Sequence, residues 1–290
     1  MQRALTVPSI DIEARAWRLH FQTRPPGVGS SLANADVLTV REPRQVHVVA
    51  EPVDASVPPL TTTDSGGSSL ALLWMPPLAN EDADAAWLEG IPLEGSRNGA
   101  RVVRAGLRTA RVVWTDQVAV IYATHDQFED ARDAVIRFTV LERDTCEIEA
   151  GMPAVWASIH RNVRLTHTVR SSDLRRDGNE VGLMTEQVTE MNSRALHNDA
   201  ALEQLDTTLK AGSKRLFAEL ALQADLYDRL EGLGEPLDFA FEYHETLNTR
   251  IIDAAQWSLN NRLEMSILLV LTLEFGVTIY PYLAHFIAAN

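Results

Sequence analysis

The sequence contains a single cysteine, Cys146, among 290 residues. One thiol can form neither a disulfide framework nor a cysteine zinc site within one chain. Free cysteine usually behaves as a small hydrophobic residue, so we interpret Cys146 as a buried or partly buried structural thiol. A lone thiol is also typical of proteins in a reducing compartment.

Positive charge is scarce, because 26 Lys and Arg residues face 40 Asp and Glu residues, and the formal net charge is −14. Binding to a nucleic-acid backbone needs a Lys/Arg surface that displaces counterions. The sequence has no run of basic residues. The charge therefore argues against a direct nucleic-acid partner.

The N-terminus, MQRALTVPSIDIEARAW, has no apolar run. A secretory signal needs such a run, and the early acidic residues Asp11 and Glu13 argue against a mitochondrial transit peptide. We therefore expect any membrane signal at the other end of the chain.

Catalytic motifs are also missing: the sequence has no P-loop and no G-x-S-x-G elbow. The segment GVGSSL (27–32) has two glycines of a dinucleotide fingerprint, lacks the third and follows a Pro-Pro turn. His244 opens HETLN, without the second histidine of a zinc-protease helix. Spacing gives His160 and His167 no fixed partner. We predict a protein that is not an enzyme and that binds no cofactor and no metal.

Hydrophobic residues make up 46% of the chain, enough for a core. In the first 150 residues, β-branched residues flank Pro43, and the apolar run SLALLWM (69–75) indicates a buried strand. The clearest strand pair is TARVVWTDQVAVIYAT (109–124), with alternating apolar residues and a turn at Thr115-Asp116.

Helical patterns follow at 80–91 and at 125–144. The Pro-, Ser- and Gly-rich stretch 51–69 is predicted to be a mobile loop. Residues 1–150 are therefore predicted to form a small α/β domain with a mostly antiparallel sheet. The whole chain is predicted to be α+β.

Residues 151–262 are predicted to form long, coiled-coil-like helices. Apolar residues recur there at spacings of three and four, as in a heptad stripe: Val188, Met191, Ala195, Leu202, Leu205, Leu209 and Leu216. Asn198 lies on the same stripe, where it either fixes register with a partner or marks loose packing. The segment GLGEP (232–236) is predicted to break the helix. A second stripe follows, at Leu247, Ile251, Ala255, Leu259 and Leu263.

The last segment, 263–288, is predicted to be a C-terminal transmembrane anchor. Ser266 to Ala288 spans 23 residues without Lys or Arg, and about 20 residues cross a bilayer. Tyr280 and Tyr282 suit a membrane interface. Because Arg250 and Arg262 precede the run, the bulk of a tail-anchored protein is expected on the cytoplasmic or matrix side of the membrane.

Glu274 lies in the middle of this apolar run. A carboxylate in a bilayer is costly unless it is neutralised or paired. It could carry a proton or ion, or form a hydrogen bond across a helix–helix contact in an oligomer. Alternatively, the helix could be buried in protein without any membrane. We favour the role in assembly.

Three segments in the C-terminal third carry a resemblance to a known family: LYDRLEGL (226–233), ETLNTRIID (245–253) and RLEMSILLVLTLEF (262–275). In this order they resemble the required-for-meiotic-nuclear-division family. Met265 stands where that family has tryptophan, and residues 155–215 match it poorly. The positions that match its helix box are Leu247, Asn248, Arg250, Asp253, Arg262, Leu263, Glu264 and Glu274.

The resemblance implies a non-enzymatic, membrane-attached protein that associates with itself. Mitochondrial relatives are inner-membrane proteins that support mitochondrial translation. The first hypothesis is therefore a tail-anchored oligomeric scaffold or tether, linked to mitochondrial or bacterial membrane translation. The alternatives are an accessory subunit of a larger mitochondrial membrane complex and a soluble α+β enzyme with a buried C-terminal helix.

Overall fold

The structure is a computed structural model. It describes the following ranges, with side chains up to residue 279: 15–23, 36–41, 45–53, 69–76, 101–108, 110–167, 177–203 and 209–288. Three predicted features lie largely or wholly outside the described residues: the loop at 51–69, the helix at 80–91 and Leu205 of the heptad stripe. The described part has a mixed, largely antiparallel sheet followed by long helices. The predicted α+β class is confirmed at this level.

Seven strands form one sheet in the order β2-β3-β1-β4-β7-β6-β5. Their bounds are β1 Arg15–Gln22, β2 Asp36–Val40, β3 Val46–Val53, β4 Ser69–Met75, β5 Val103–Gly106, β6 Ala110–Trp114 and β7 Val118–Ala123. All pairs are antiparallel except β4 with β7, which run parallel.

The predicted strand pair forms β6 and β7, which pair antiparallel with Trp114 opposite Ala119. Thr115 closes the turn: its backbone N–H donates to the Val118 carbonyl at 2.8 Å, and its hydroxyl donates to the same oxygen at 3.0 Å. Val120 and Tyr122 pack with Met75 of β4. Since side chains alternate along a strand, Ile121 faces the opposite side of the sheet from Val120 and Tyr122.

Helix α1 (His125–Asn162) begins directly after β7 and continues past the predicted end at residue 144. Aromatic contacts attach it to the sheet. Phe128 stacks on Trp17 with ring centroids 4.9 Å apart and lies 5.7 Å from Trp74. Trp114 meets Phe138 edge-on and donates its indole N–H to the Thr139 hydroxyl at 2.8 Å.

A short 3₁₀ helix (Val163–Thr166) follows α1, and three further α-helices follow it. Helix α2 spans Gly178–Glu203, α3 spans Ala211–Gln223, and α4 spans Leu226–Ala288. The described residues of the predicted heptad stripe are buried on α2, just before α3 and on α3.

Asn198, on that stripe, is buried and contacts helix α1 of its own chain. Its side-chain amide donates to the Asp144 carboxylate at 3.0 Å. Asn198 thus fixes the position of α2 against α1. This part of the stripe is core of a single chain, and it leaves no seam for a coiled-coil partner.

The predicted helix break at 232–236 is wrong, because α4 runs through Gly232, Gly234 and Pro236 without interruption. Glycine and proline lower helix propensity, but burial of a helix face can outweigh that cost. The buried positions around the GLGEP segment are Leu230, Leu233, Leu237 and Ala240, at spacings of three and four residues.

The predicted membrane anchor is also wrong. Among the described residues, no helix is long and apolar enough to cross a membrane. This finding overturns the transmembrane and tail-anchored predictions and the membrane location derived from them. Tyr280 and Tyr282 lie outside the residues with described side chains.

The chain divides into two compact units. The first contains residues 1–150 and 193–235, and the second contains residues 151–192 and 236–290. The sheet, with its contacts to α1, belongs to the first unit.

A cluster of ionic contacts joins helices within the first unit. Arg229 of α4 donates to Glu142 of α1 at 2.7 Å and to Glu149 at 2.7 Å. Burial lowers the pKa of Arg229, but its hydrogen bonds with Glu149 and the charge of Glu142 outweigh that effect and raise the pKa. Burial raises the pKa of Glu142, although Arg229 opposes the shift.

Cys146 lies beside this cluster, with its Sγ 3.3 Å from an Arg229 nitrogen. The sequence predicted a buried or partly buried thiol, but the residue is exposed. Neighbouring side chains still partly cover the sulfur, and this desolvation together with the charge of Glu142 raises the pKa of the thiol to about 11. The thiol is therefore protonated at neutral pH, which agrees with an unreactive structural role.

Replacing Arg229 by Met would leave the Glu142 carboxylate, 3% exposed, without its partner. We expect a loss of about 3–5 kcal/mol in the free energy of unfolding, measured with urea at neutral pH. The double variant Arg229→Met/Glu142→Gln should lose less, because the uncompensated charge is gone.

The matched control is Arg161→Met, which breaks the exposed ion pair with Glu180. That change should cost less than about 1 kcal/mol. If the Arg229 and Arg161 variants lost the same free energy of unfolding, the buried ion pair would contribute no more to stability than the exposed one.

Candidate assembly interface

The predicted helix-box residues lie along α4 in two groups. Leu247 belongs to the core of the second unit, where it is 0% exposed and packs with Leu165 and Val181. Tyr243 and Ile251 pack at the edge of this cluster. Leu247 is thus a structural residue that holds α4 against α2 and the 3₁₀ helix.

Arg250 lies near Leu247 but on the surface, and its guanidinium donates to the carbonyl of Thr166. That carbonyl is in the last turn of the 3₁₀ helix. Asn248 is half-buried and Asp253 is exposed. Leu247 and Arg250 therefore both contact the 3₁₀ helix, whereas Asp253 is left in solvent.

The second group, Arg262, Leu263, Glu264 and Glu274, is exposed throughout. These residues lie on the part of α4 whose side chains are exposed to solvent. Along the second predicted stripe, Leu247 is buried, Ile251 is half-buried, and Ala255 and Leu259 are exposed. The stripe thus begins as core and continues as surface.

Beyond that point α4 presents an apolar surface on all sides. We call residues 263–277 the apolar segment. Its large apolar side chains are each between 53% and 73% exposed: Leu263, Met265, Ile267, Leu268, Leu269, Val270, Leu271, Leu273, Phe275 and Val277. A helix that is apolar on all sides is normally buried in a larger structure. The alternative in which this helix is buried within its own chain does not hold for these residues, because their side chains are exposed.

A shallow groove runs along one side of the apolar segment. We call it the α4 groove, and its lining residues are Met265, Leu268, Leu269, Thr272, Leu273, Gly276 and Val277. Thr272 hydrogen-bonds back to the Leu268 carbonyl at 2.7 Å, so its hydroxyl is satisfied within the helix. A Cβ added at Gly276 would contact no other described residue. The groove is therefore apolar and open.

Glu264 and Glu274 are the only charged residues of the apolar segment. A helix advances about 100° per residue. Measured from the middle of the α4 groove, Glu274 lies on the opposite side of the helix and Glu264 lies on its flank. The groove itself therefore carries no charge.

Sequence reasoning identified the apolar run but missed the groove. Thr272 and Gly276, four residues apart, place small side chains on one helix face, and Met265 and Leu269 continue that face at helical spacing. That spacing was visible in the sequence. The spacing alone could not show whether this face is core or surface; the exposure of the surrounding residues identifies it as surface.

His244, which opened the incomplete zinc-protease motif, is 0% exposed in the second unit. Neither of its ring nitrogens has a hydrogen-bond partner among the described residues. The Tyr243 ring meets it edge-on at 5.5 Å, and the Thr185 hydroxyl lies 3.4 Å from its carbonyl. Burial lowers the pKa of His244 below its usual value near 6.5, so the ring is neutral at pH 7.

The described residues contain no group of His, Cys, Asp and Glu side chains that could hold a metal ion. His160 and His167, considered from the sequence, are both exposed. The structure does not test the prediction that the chain is not an enzyme. The geometry singles out the apolar segment as the candidate functional feature.

Comparison with known proteins adds little to this description. No protein-family model and no curated protein matches the sequence. Among solved structures, 18 chains match. One is the full-length CmaX protein, with a TM-score of 0.31 and 11% identity over 96% of this chain and 86% of that one. A similarity this low carries no argument, and the resemblance to the required-for-meiotic-nuclear-division family stays a prediction.

The buried neutral His244 predicts a loss of stability in acid. The pKa of His244 is lower in the folded chain than the usual value near 6.5, so its contribution is complete above pH 6.5 and is lost as the pH falls below it. Urea unfolding is measured at a pH above 6.5 and again one pH unit below 6.5. Between these two conditions the free energy of unfolding of the wild type should fall by up to about 1.4 kcal/mol more than that of His244→Leu.

The control His160→Gln alters an exposed histidine. This variant should keep the acid loss of the wild type. If His244→Leu shows the same pH dependence as wild type, protonation of His244 does not govern it.

Proposed function

We propose that this chain is a non-enzymatic scaffold protein that works as a homo-oligomer, assembled through the apolar segment of α4. The observation that carries this proposal is the exposure of ten large apolar side chains within residues 263–277. Monomeric soluble proteins rarely expose a contiguous apolar patch of that size, and such patches typically mark interaction sites.

The available area supports assembly. Burying one large apolar side chain removes about 60–120 Å² from water, by the usual relation between transfer free energy and area. The ten side chains, each more than half exposed, lie on all sides of α4 and together expose several hundred Å² of apolar surface, on the order of the ~800 Å² that each partner buries in a stable interface. The family resemblance, which implies self-association without enzymatic activity, supports the same function.

Helix α2 and the start of α4 already make contacts within the chain. The stripe on α2 packs against α1 through Asn198, and the start of α4 is fixed by Arg229 and Leu247. Assembly through the apolar segment would leave these contacts unchanged. In this function α4 holds the copies of the chain together in an oligomer.

The test is the size of the full-length chain, measured by sedimentation over about a hundredfold range of concentration. We expect a discrete oligomer. The variant Leu268→Gln/Leu271→Gln/Leu273→Gln, which makes the apolar segment polar, should sediment as a monomer. These three side chains make no core contact, so the fold should be kept.

The matched control is Leu183→Gln/Leu196→Gln/Leu222→Gln, which changes three equally exposed leucines on α2 and α3. It should keep the oligomer. Wild type that is monomeric at every concentration would refute the proposal. So would an assembly that contains a stoichiometric second protein and only one copy of this chain.

A further inference from the structure

Large and small side chains are arranged along the α4 groove so that the two halves of the groove complement each other in size. Six of its seven lining positions pair about a midpoint between residues 270 and 271: Met265 with Gly276, Leu268 with Leu273, and Leu269 with Thr272. The seventh, Val277, corresponds to Glu264, which lies outside the groove. In two of these pairs a large side chain before the midpoint corresponds to a small one after it: Met265 to Gly276, and Leu269 to Thr272.

We infer that two copies of this chain pack antiparallel through the α4 groove, with Met265 of each copy over Gly276 of the other. This inference rests on the proposed function and names the geometry of its basic contact. A two-fold interface uses the same patch on both copies, so that patch must be complementary to itself. When the two helices run in opposite directions, the large Met265 of one copy lies opposite the small Gly276 of the other at both ends of the overlap.

Packing favours the antiparallel pair over the parallel one. In a parallel pair, Met265 would face Met265 and Gly276 would face Gly276, which crowds one end and leaves a gap at the other. Close-packed interfaces fill space by opposing large and small side chains. In the antiparallel pair the Met265 side chain fills the space above Gly276, where an added Cβ would contact no other described residue.

Charge favours the same direction. Each chain has a formal net charge of −14, so two copies repel each other. An antiparallel overlap of residues 265–276 directs the preceding parts of the two chains to opposite ends of the pair. A parallel overlap would place both at the same end.

Glu274 lies outside this contact. Because it projects from the side of α4 opposite the groove, pairing leaves its carboxylate in water and avoids the cost of burying an unpaired charge. This differs from the role in helix–helix contact that the sequence suggested. Glu274→Gln should change the dissociation constant of the pair by no more than about twofold.

Disulfide trapping tests the direction of the helices. Cys146→Ser serves as background, and one cysteine is added as Met265→Cys or as Gly276→Cys. Cysteines 265 and 276 of opposite copies should cross-link when the two variants are mixed. Each variant alone should not, since its two thiols would lie about 16 Å apart along the helices, beyond the ~7 Å Cα limit of a disulfide.

A pair of substitutions tests the size matching. Gly276→Met should weaken the pair by about tenfold or more, because two large side chains then meet. The exchanged variant Met265→Gly/Gly276→Met restores one large and one small residue at each contact and should recover most of the affinity. The control Gly232→Met adds the same side chain where an added Cβ also contacts no other described residue, and it should have no effect.

The outcomes separate this inference from the proposed function. A wild-type chain that is monomeric refutes both. A wild-type oligomer in which each single-cysteine variant cross-links with itself refutes the antiparallel pair and leaves assembly through α4 standing. Failure of the exchanged variant to recover, or a loss of about tenfold or more for Glu274→Gln, also refutes the antiparallel contact.

Discussion

The aromatic contact between helix α1 and the sheet is the constraint on which the first unit depends. Phe128 and Phe138 fix one side of α1 against tryptophans of three strands. Farther along α1, the carboxylates of Glu142 and Asp144 are buried and contact other helices. Arg229 pairs with Glu142, and Arg194 of α2 pairs with Asp144, to which Asn198 also donates. These contacts fix the positions of α4 and α2 against α1.

Helix α4 joins two kinds of environment in one continuous element. Near Leu247 it is core, and from Leu259 to Val277 its large apolar side chains are each more than half exposed. Apolar surface of this extent raises the free energy of the isolated chain in water. The proposed assembly would remove this surface from water, which gives the exposed segment a physical reason to exist.

The polar residues on the helices separate two roles that look alike in sequence. Asn198 and Glu274 both interrupt an apolar stripe. Asn198 is buried and donates to Asp144, so it specifies packing within the chain. Glu274 is exposed and faces away from the α4 groove, so solvent satisfies its charge. The difference lies in what surrounds each residue, and the periodicity of the stripe contains no information about that.

The sequence by itself determined the α+β class, the strand pair at 109–124 and the buried strand at 69–75, because alternation and β-branched content are local signals. It also located the stripe on α2. Only the tertiary structure decided that this stripe packs inside the chain, that α4 continues through Pro236, and that Leu247 is core whereas Leu263 is surface. Burial depends on residues distant in sequence, and the free energy of that burial outweighs the local preferences of glycine and proline.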